Sequence, residues 1–217
     1  MEEVRIMISV IIPSIKEKIV TMDSIPSGHE IIIENIPNCS RARNRGAYES
    51  HGEYLFFLDD DISFPSELIE EVVEILGKHP LSLCCIVEFD DDKFYCVSRF
   101  MAMRRKVFMA LGGFDERLAF MGEDIDFGYR AITSNISIIP IQKELIVHHG
   151  AKTSLSQHQI NLLKNQLHVP YIQLKNMCLF KLDIFKAYFT SNPIKLLLRI
   201  IGTFLAIWKL CEGRLLT

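Results

Sequence analysis

Short apolar runs alternate with amphipathic segments along the first two thirds of the chain. The clearest run is Tyr54 to Leu58 (YLFFL). Because it has no polar face and is too short for a core helix, we predict a buried parallel strand there. Similar runs predict further strands at residues 5–12, 30–34, 83–89, 94–98, 137–141 and 145–149, the last two closing the sheet. Strands that alternate with helices predict an α/β fold with a mostly parallel, mixed sheet.

Two segments have the signals of helices. Residues 40–51 (SRARNRGAYESH) begin with Ser40, a plausible N-cap, and end before a glycine. Residues 67–77 (ELIEEVVEILG) are acidic in the first turn, apolar at helical spacing and closed by a glycine. Residues 14–27 are polar and broken by a proline, which leaves room for at most a short helix.

Three carboxylates, Asp59, Asp60 and Asp61, follow the strand at residues 54–58 directly. They would lie at the carboxyl edge of the sheet, where open α/β folds bind ligands. If the chain stays extended, Asp59 and Asp61 point to one side and Asp60 to the other. Two like charges on one side call for a cation, and carboxylates suit Mg²⁺ or Mn²⁺. The alternative is a solvated turn, which is how we interpret the second triplet, residues 90–92.

Composition and charge divide the chain into two parts. The 217 residues allow one domain of moderate size and an appendage, and 49% are hydrophobic, which indicates a membrane or partner surface. The formal charge of -3 hides an asymmetry, because the stretch from Lys152 onward has nine Lys/Arg against only two Asp/Glu. We therefore expect a domain over residues 1–151 and a helical, basic, membrane-associating extension over residues 152–217.

The six cysteines form no CxxC pair and have no zinc-site spacing. The acidic start of the chain is unlike a signal peptide. Both features favour a reducing cytoplasm with free, mostly buried thiols. No nucleic-acid partner is expected.

Four motifs occur in a fixed order along residues 6–150. They are ARNRGA at 42–47, GEY at 52–54 leading into the acid triplet, GGFDE at 112–116 and GEDIDFGYR at 122–130. In this combination the chain closely resembles glycosyltransferase family 2, nucleotide-sugar enzymes with the GT-A fold. The resemblance implies a GT-A catalytic domain and a metal-dependent, inverting transfer of a sugar from a nucleoside-diphosphate sugar.

The resemblance also implies roles for the acid triplet and for a histidine pair. Asp59 would face the nucleoside ribose and Asp61 would bind Mn²⁺ or Mg²⁺, with Asp59 assisting. His148 or His149 would complete the metal site, and the sequence does not distinguish the two rings. The alternative is an ordinary, partly exposed pair at a strand end.

In inverting members of the family, the aspartate of the ED pair is the general base, which corresponds to Asp124, with Glu123 beside it. On a helix, Glu123, Asp124 and Asp126 cannot share one face, and Asp126 can pair with Arg130 four residues on. Asp115 and Glu116 are expected at the acceptor side or in shaping their loop.

The nucleotide-sugar contacts implied by the resemblance fall on residues in or near strand ends and on the ARN helix. They are Pro13, Glu34, Arg43, Asn44, Asp59 and Asp60. The alternative for Arg43 is a solvated helix face. The base-reading position of the family holds Glu34 or Asn35 here, and the helix after the first strand is cut short, so the donor base stays open.

The rear of the chain indicates a membrane surface. Residues 166–180 resemble the stretch that follows the catalytic domain in members that act on lipid-linked or cell-surface glycans. Residues 194–211 predict a helix with one narrow stripe of polar or small positions, and its uncharged run, 200–208, is too short to span a bilayer. We expect this helix to lie at an anionic lipid interface; the alternative is packing on the catalytic domain.

The expected function is therefore sugar transfer to a lipid-linked or envelope glycan, at the inner face of the cell membrane. One alternative is a catalytically inactive GT-A domain that acts as a membrane scaffold or binding partner. Another is a sugar-phosphate nucleotidylyltransferase, which would need a Gly-rich, basic loop after the first strand. Residues 13–25 contain no such loop.

Overall fold

The computed structural model describes residues 7–90, 93–118, 122–150, 170–172, 175, 197 and 200–208. Within these residues there are eight strands: β1 (Ile8–Pro13), β2 (Glu30–Glu34), β3 (Tyr54–Leu58), β4 (Ile62–Ser63), β5 (Ser82–Asp90), β6 (Lys93–Arg104), β7 (Ser137–Ile141) and β8 (Val147–His148). Six of them form one sheet in the order β2-β1-β3-β6-β5-β7, and β4 pairs with β8 in a second, small sheet.

Four α-helices accompany the sheet in residues 7–150. They are α1 (Cys39–Glu49), α2 (Leu68–Lys78), α3 (Arg105–Ala110) and α4 (Glu123–Thr133). The predicted short helix in residues 14–27 is a 3₁₀ turn at Val20–Ser24, and a second 3₁₀ turn spans Lys143–Leu145. The described residues of the C-terminal part, 170–172, 175, 197 and 200–208, are also helical.

The sheet is mixed and mostly parallel, as the sequence predicts. β1 runs parallel to β2 and β3, and β7 runs parallel to β5, whereas β6 is antiparallel to both of its neighbours. β3 spans Tyr54–Leu58, as predicted, and all five of its residues are buried. Its partners are β1 on the parallel side and β6 on the antiparallel side, so it is parallel on one side only.

Alternation along the central strands builds a core on each face of the sheet. Val10 and Phe56 belong to the cluster that packs against α2, whereas Leu55 and Phe57 belong to the cluster against α1, α3 and α4. The ring of Phe57 packs against Phe108 with a centroid distance of 5.0 Å. Full burial of a side chain of this size contributes about 1.5–3 kcal/mol to the stability of the fold. The two cores therefore stabilise the sheet that carries the loops of the site.

The start of α1 differs from the prediction. Its N-cap is Asn38, whose side chain accepts a hydrogen bond of 3.0 Å from the backbone N–H of Arg41. Ser40, the expected cap, is buried in the first turn and its hydroxyl donates to the carbonyl of Leu118 at 2.8 Å. The N-cap therefore lies two residues earlier than predicted, and the helix ends at Glu49, before the predicted end.

The last predicted strand does not close the main sheet. β8 pairs antiparallel with β4, so that His148 lies opposite Ile62, and the N–H of His149 donates to the carbonyl of Asp61 at 2.7 Å. The prediction was wrong because the chain turns away after Lys143–Leu145 and finds its hydrogen-bond partners in the strand behind the acid triplet. This pairing places His148 and His149 next to Asp61.

Candidate active site

The acid triplet lies at the edge of the sheet where the parallel strands β1, β2 and β3 all end. The chain does not stay extended there, because Asp60 and Asp61 form a turn between β3 and β4. The prediction that Asp59 and Asp61 point to one side and Asp60 to the other, which assumed an extended chain, is therefore wrong. Asp59 binds Arg43, whereas Asp60 and Asp61 share the ammonium group of Lys16.

Asp60 is held by the loop that follows β1. Its carboxylate accepts hydrogen bonds from the Ser14 hydroxyl at 2.5 Å and from the Lys16 ammonium at 2.7 Å. Its carbonyl accepts from the N–H of Val20 at 2.9 Å. The hydrogen bond to Asp60, assisted by the charge of Asp61, raises the pKa of Lys16. Asp60 thus fixes the loop after β1 against the turn, and its two oxygens are both engaged.

The two histidines have different partners. The Nε2 of His148 lies 3.2 Å from Oδ1 of Asp61, whereas the Nε2 of His149 lies 2.7 Å from the hydroxyl of Ser63. Gly150 follows, and a Cβ at this position would lie 2.5 Å from the His148 ring and 3.2 Å from Asp61. The glycine at position 150 therefore leaves room for the His148 ring to approach the Asp61 carboxylate.

Asp61 and His148 fit two adjacent positions around a divalent cation. Neighbouring ligands of an octahedral ion with bonds of about 2.1 Å are about 3 Å apart, close to the separation of these two atoms. Both side chains are partly exposed, which leaves the pair accessible. Within the described part of the chain, no three His, Cys, Asp or Glu side chains form a ready-made metal site, so further ligands would come from a bound substrate, from water or from movement of Asp59.

Arg43 joins the acid triplet to α4. Its guanidinium donates to Asp59 at 2.9 Å and to Glu123 at 2.8 Å, and its side chain is only 3% exposed. Burial alone would lower the pKa of Arg43, but the charges of Asp59 and Glu123 raise it, so this residue stays charged. Among the described residues, its Nε and Oε2 of Glu123 are buried without a hydrogen-bond partner. Such unsatisfied groups are unusual in a protein interior, and a catalytic role, an ordered water or an ion is the usual explanation.

An irregularity in β6 positions Asp124 beside this network. Cys85 of β5 faces Met101 but Ile86 faces Val97, so Ser98, Arg99 and Phe100 have no partners on β5. The N–H of Ser98 instead donates to the Asp124 carboxylate at 3.1 Å, and the carbonyl of Arg99 accepts from Asp59. Irregular pairing of this kind often re-aims groups next to active sites.

The electrostatic surroundings of Asp124 suit a proton acceptor. Burial, reinforced by the negative charge of Glu123, raises the pKa of Asp124 to about 7, against the opposing effects of the Ser98 N–H and of Arg43. A carboxylate with a pKa near neutrality can take up a proton efficiently at physiological pH. As predicted, the three acids of α4 do not share one face of the helix. Glu123 binds Arg43, Asp124 binds the N–H of Ser98, and Asp126 binds Arg130.

Asn44 holds the GGFDE turn. Its amide donates to the Phe114 carbonyl at 2.9 Å and to Glu116 at 3.1 Å, and its oxygen accepts from the Phe114 N–H at 2.8 Å. Gly113 has a φ of +72° and lies so close to Asn44 that a Cβ would meet its Oδ1 at 2.7 Å. The structure therefore places Asn44 and Glu116 in contact with each other and commits the Asn44 amide to the turn.

Asp115 and Asp126 are joined by a residue from the C-terminal part. Lys175 donates to Asp115 at 2.8 Å and to Asp126 at 2.9 Å, and the Tyr171 hydroxyl donates to Asp115 at 2.6 Å. The predicted pair of Asp126 with Arg130 is confirmed at 2.8 Å. Burial alone would raise the pKa of Asp115, but its bonds to Arg117 and Lys175 hold the pKa below its usual range. Asp115 is thus an anion that anchors the C-terminal part.

The first two strands end next to this edge. Pro13 is the last residue of β1 and pairs in register with Glu34, the last residue of β2. Glu34 is buried, burial raises its pKa, and Arg45 lies 3.6 Å away. Among the described residues, neither Pro13 nor Glu34 has a hydrogen bond or an ion pair to the acid triplet. Ser14, next to Pro13, donates a hydrogen bond to Asp60.

A family model matches part of the sequence. Residues 27–121 match the model of glycosyl transferase family 2, a span that includes α1, the acid triplet and the GGFDE turn. This part of the chain is therefore similar to the glycosyltransferases of family 2. No curated protein sequence matches the chain.

Solved structures share the fold of this chain. The mannosyltransferase PcManGT from Pyrobaculum calidifontis, in complex with GDP-Man and Mn²⁺, superposes with a TM-score of 0.60 over 96% of this chain and 79% of its own, at 16% identity. S. aureus TarS gives a TM-score of 0.52 over 92% and 80%, at 13% identity. GalNAc-T7 with UDP, GalNAc and Mn²⁺ gives 0.53 over 77% and 50%, at 12% identity. The fold is therefore GT-A, as the sequence resemblance implied.

Sequence reasoning missed three residues of the candidate site, namely Lys16, Tyr171 and Lys175. Lys16 follows β1 by three residues, and the carboxyl ends of parallel strands meet at one edge, so its position was a usable signal. Tyr171 and Lys175 lie four apart in a segment that the sequence assigns to the extension, and no local pattern predicts their contact with Asp115.

Arg43 should be essential to stability as well as to the site. Arg43→Met would leave Glu123 as a buried, uncompensated anion, and loss of one partner of a buried pair costs about 3–5 kcal/mol. We expect the free energy of unfolding in urea to fall by about this amount. The control is Arg41→Met on the same helix, since Arg41 is 63% exposed and its partner Glu116 is also exposed. Arg41→Met should cost at most about 1 kcal/mol, and similar losses in the two variants would contradict the bridging role of Arg43.

Proposed function

We propose that the chain is a metal-dependent, inverting glycosyltransferase that moves a sugar from a nucleoside-diphosphate sugar to a lipid-linked or cell-envelope glycan. The observation that carries the proposal is the position of Asp124, a carboxyl group with a raised pKa that Arg43, Glu123 and Asp59 connect to the acid triplet. A proton acceptor and a candidate metal site thus belong to one network of charges. Sugar transfer from a diphosphate needs both.

Asp61 and His148 are the proposed metal ligands, with Asp59 as a third candidate. The facing atoms of Asp61 and His148 support the first two, and the partner of His149, Ser63, makes that ring the weaker candidate. A divalent cation, Mn²⁺ or Mg²⁺, would neutralise the charge that builds up on the departing diphosphate. The Mn²⁺ named for the mannosyltransferase and for GalNAc-T7 supports this choice.

Asp124 is the proposed general base. The acceptor hydroxyl attacks the anomeric carbon, a bond forms between the acceptor oxygen and that carbon, and the bond to the diphosphate oxygen breaks. Asp124 takes the hydroxyl proton as the new bond forms. The N–H groups of Ser98 and Ile125 hold its two oxygens at 3.1 and 2.9 Å and so fix the direction in which the carboxylate accepts the proton. A single displacement of this kind inverts the anomeric configuration.

The donor side of the proposed site is formed by the ends of the first three strands. Asp59 and Asp60 are the candidates for contacts to the nucleotide, and Glu34 at the end of β2 is the candidate for the base. Arg43 acts through the two acids that it binds, because its guanidinium is buried and donates to both. The GDP-Man and UDP named for the similar structures support a nucleoside-diphosphate donor.

The proposed acceptor and location rest on the C-terminal helix. Along residues 200–208, the small residues Gly202 and Ala206 are buried, and Ala206 packs in a cluster with Leu118, Tyr129 and Tyr171. The large apolar residues face outward, with Phe204 71% and Trp208 58% exposed. Such a face, flanked in sequence by Lys and Arg, suits the interface of an anionic membrane. Among the described residues no helix is long and apolar enough to cross a bilayer.

The helix therefore combines the two alternatives that the sequence left open. Its small residues pack on the domain, and its large ones remain available for lipid. Placed in this way at the inner face of the cell membrane, the site would receive an acceptor whose glycan projects from a lipid.

Replacement of Asp124 by Asn should remove catalysis with little effect on donor binding. The change keeps size and polarity but removes basicity, so turnover, measured as release of nucleoside diphosphate from a panel of nucleotide sugars, should fall by roughly 10²–10⁴. In the wild type, kcat/KM should rise with pH through about 7, because Asp124 must lose its proton to act.

Asp23→Asn, the same substitution at an exposed position, should keep both turnover and the pH profile. Near wild-type turnover in Asp124→Asn would contradict the assignment, and a loss in Glu123→Gln alone would move the role to Glu123. No turnover with any donor by the wild type would favour an inactive scaffold.

Liposome flotation should separate the two faces of the C-terminal helix. The full chain should float with anionic liposomes, less well with neutral ones, and less well as salt increases. Phe204→Glu places a charge on the exposed apolar face, so flotation should be lost while the fold, measured by circular dichroism, is unchanged.

Leu81→Glu is the matched control, because Leu81 is 63% exposed but lies between α2 and β5, far along the chain from the helix. It should leave flotation intact. Equal partitioning of Phe204→Glu and wild type would remove the membrane from the proposal and with it the main support for a lipid-linked acceptor.

A further inference from the structure

We propose that Lys16 is a resident counter-ion of the acid turn, residues 59–61. Its ammonium binds Oδ2 of Asp61, whereas His148 faces Oδ1, and the ammonium competes with the divalent metal for Asp61. This inference rests on the proposed function, since it assigns a role at the proposed metal site. It adds a residue that controls when the metal binds.

The geometry shows how the two oxygens of Asp61 are divided. Oδ1 faces the Nε2 of His148 at 3.2 Å, and Oδ2 accepts from the Lys16 ammonium at 3.3 Å. The same ammonium donates to Oδ1 of Asp60 at 2.7 Å. The positive charge of Lys16 therefore lies between two adjacent carboxylates, where like charges would otherwise repel.

The loop that carries Lys16 is fixed, whereas the end of its side chain is accessible. The Ser14 hydroxyl binds both Asp60 and the backbone N–H of Lys16, at 2.5 and 3.1 Å, so the start of the side chain has a defined position. The side chain itself is 52% exposed and is not packed into the core. Its ammonium can turn out to solvent without disturbing the fold, as displacement by a metal requires.

Two cations at one carboxylate exclude each other. A divalent ion at Asp61 and His148 would lie close to the ammonium, and two positive charges a few ångströms apart repel each other even at a partly exposed site. Metal entry therefore requires Lys16 to leave Asp61. Without nucleotide the acids are already neutralised by Lys16, so the site should bind metal weakly. The negative charge of a donor diphosphate would favour both cations together, and metal and donor should bind cooperatively.

Titration with Mn²⁺, followed by the loss of the electron paramagnetic resonance signal of the free ion, measures this competition directly. In the absence of nucleotide, Lys16→Met should bind Mn²⁺ roughly tenfold more tightly than wild type, because one nearby positive charge is removed. Lys18→Met is the matched control, since Lys18 carries the same charge two residues away and is exposed. Its affinity should equal that of the wild type.

The double variant Lys16→Met/Asp61→Ala identifies where the ion binds, and it should lose the added affinity. Equal or weaker Mn²⁺ binding by Lys16→Met, with binding by the wild type, would overturn the role of Lys16 and leave the metal site in place. The same gain in Lys18→Met would reduce the effect to net charge and also overturn it. Absence of Mn²⁺ binding in every variant, with and without a nucleoside diphosphate, would overturn the metal site and this inference together.

Discussion

The buried guanidinium of Arg43 is the interaction on which the site depends. It lies beneath the edge of the sheet and binds Asp59 after β3 and Glu123 at the start of α4, two segments that are far apart in sequence. Without this cation, the carboxylate of Glu123, only 9% exposed, would be left buried without a counter-charge, which costs about 3–5 kcal/mol. The position of α4, and therefore of Asp124, follows from this bridge.

The remaining charges divide between two sides of the site. Asp60 and Asp61 have turned away from Asp59 and face Lys16, with His148 beside Asp61. Asp115 and Asp126 face Lys175 and Tyr171, which tie the C-terminal part to the GGFDE turn and to α4. The two sides of the candidate site are thus built from separate ion clusters. The helix with the exposed apolar face follows the cluster of Asp115 and Asp126 along the chain.

Sequence patterns predicted the elements that short apolar runs indicate. The strands at 30–34, 54–58 and 137–141 have the predicted bounds, because apolar runs of this length have few alternatives. The free cysteines of the described part, three of them buried, also agree with the prediction. Family motifs correctly indicated the GT-A fold, although no element alone would have done so.

Contacts between distant segments could not be predicted in this way. The pairing of β8 with β4 depends on where the chain turns after β7, and it decides that His148 rather than His149 faces Asp61. The turn at Asp60–Asp61 breaks the alternation that a strand would impose, so the partner of each acid depends on the loop after β1. Lys175 reaches Asp126 through tertiary packing, for which the sequence has no periodic signal.

The proposed metal site consists of Asp61 and His148. Its most direct test is a crystal structure of the protein with Mn²⁺ and a nucleoside diphosphate, with an anomalous difference map recorded at the manganese edge. We expect one strong peak within ligand distance of Asp61 and of the Nε2 of His148, with the diphosphate on the same ion and the Lys16 ammonium turned away from Asp61. A bound nucleotide without such a peak, or a peak held by other side chains, would contradict it.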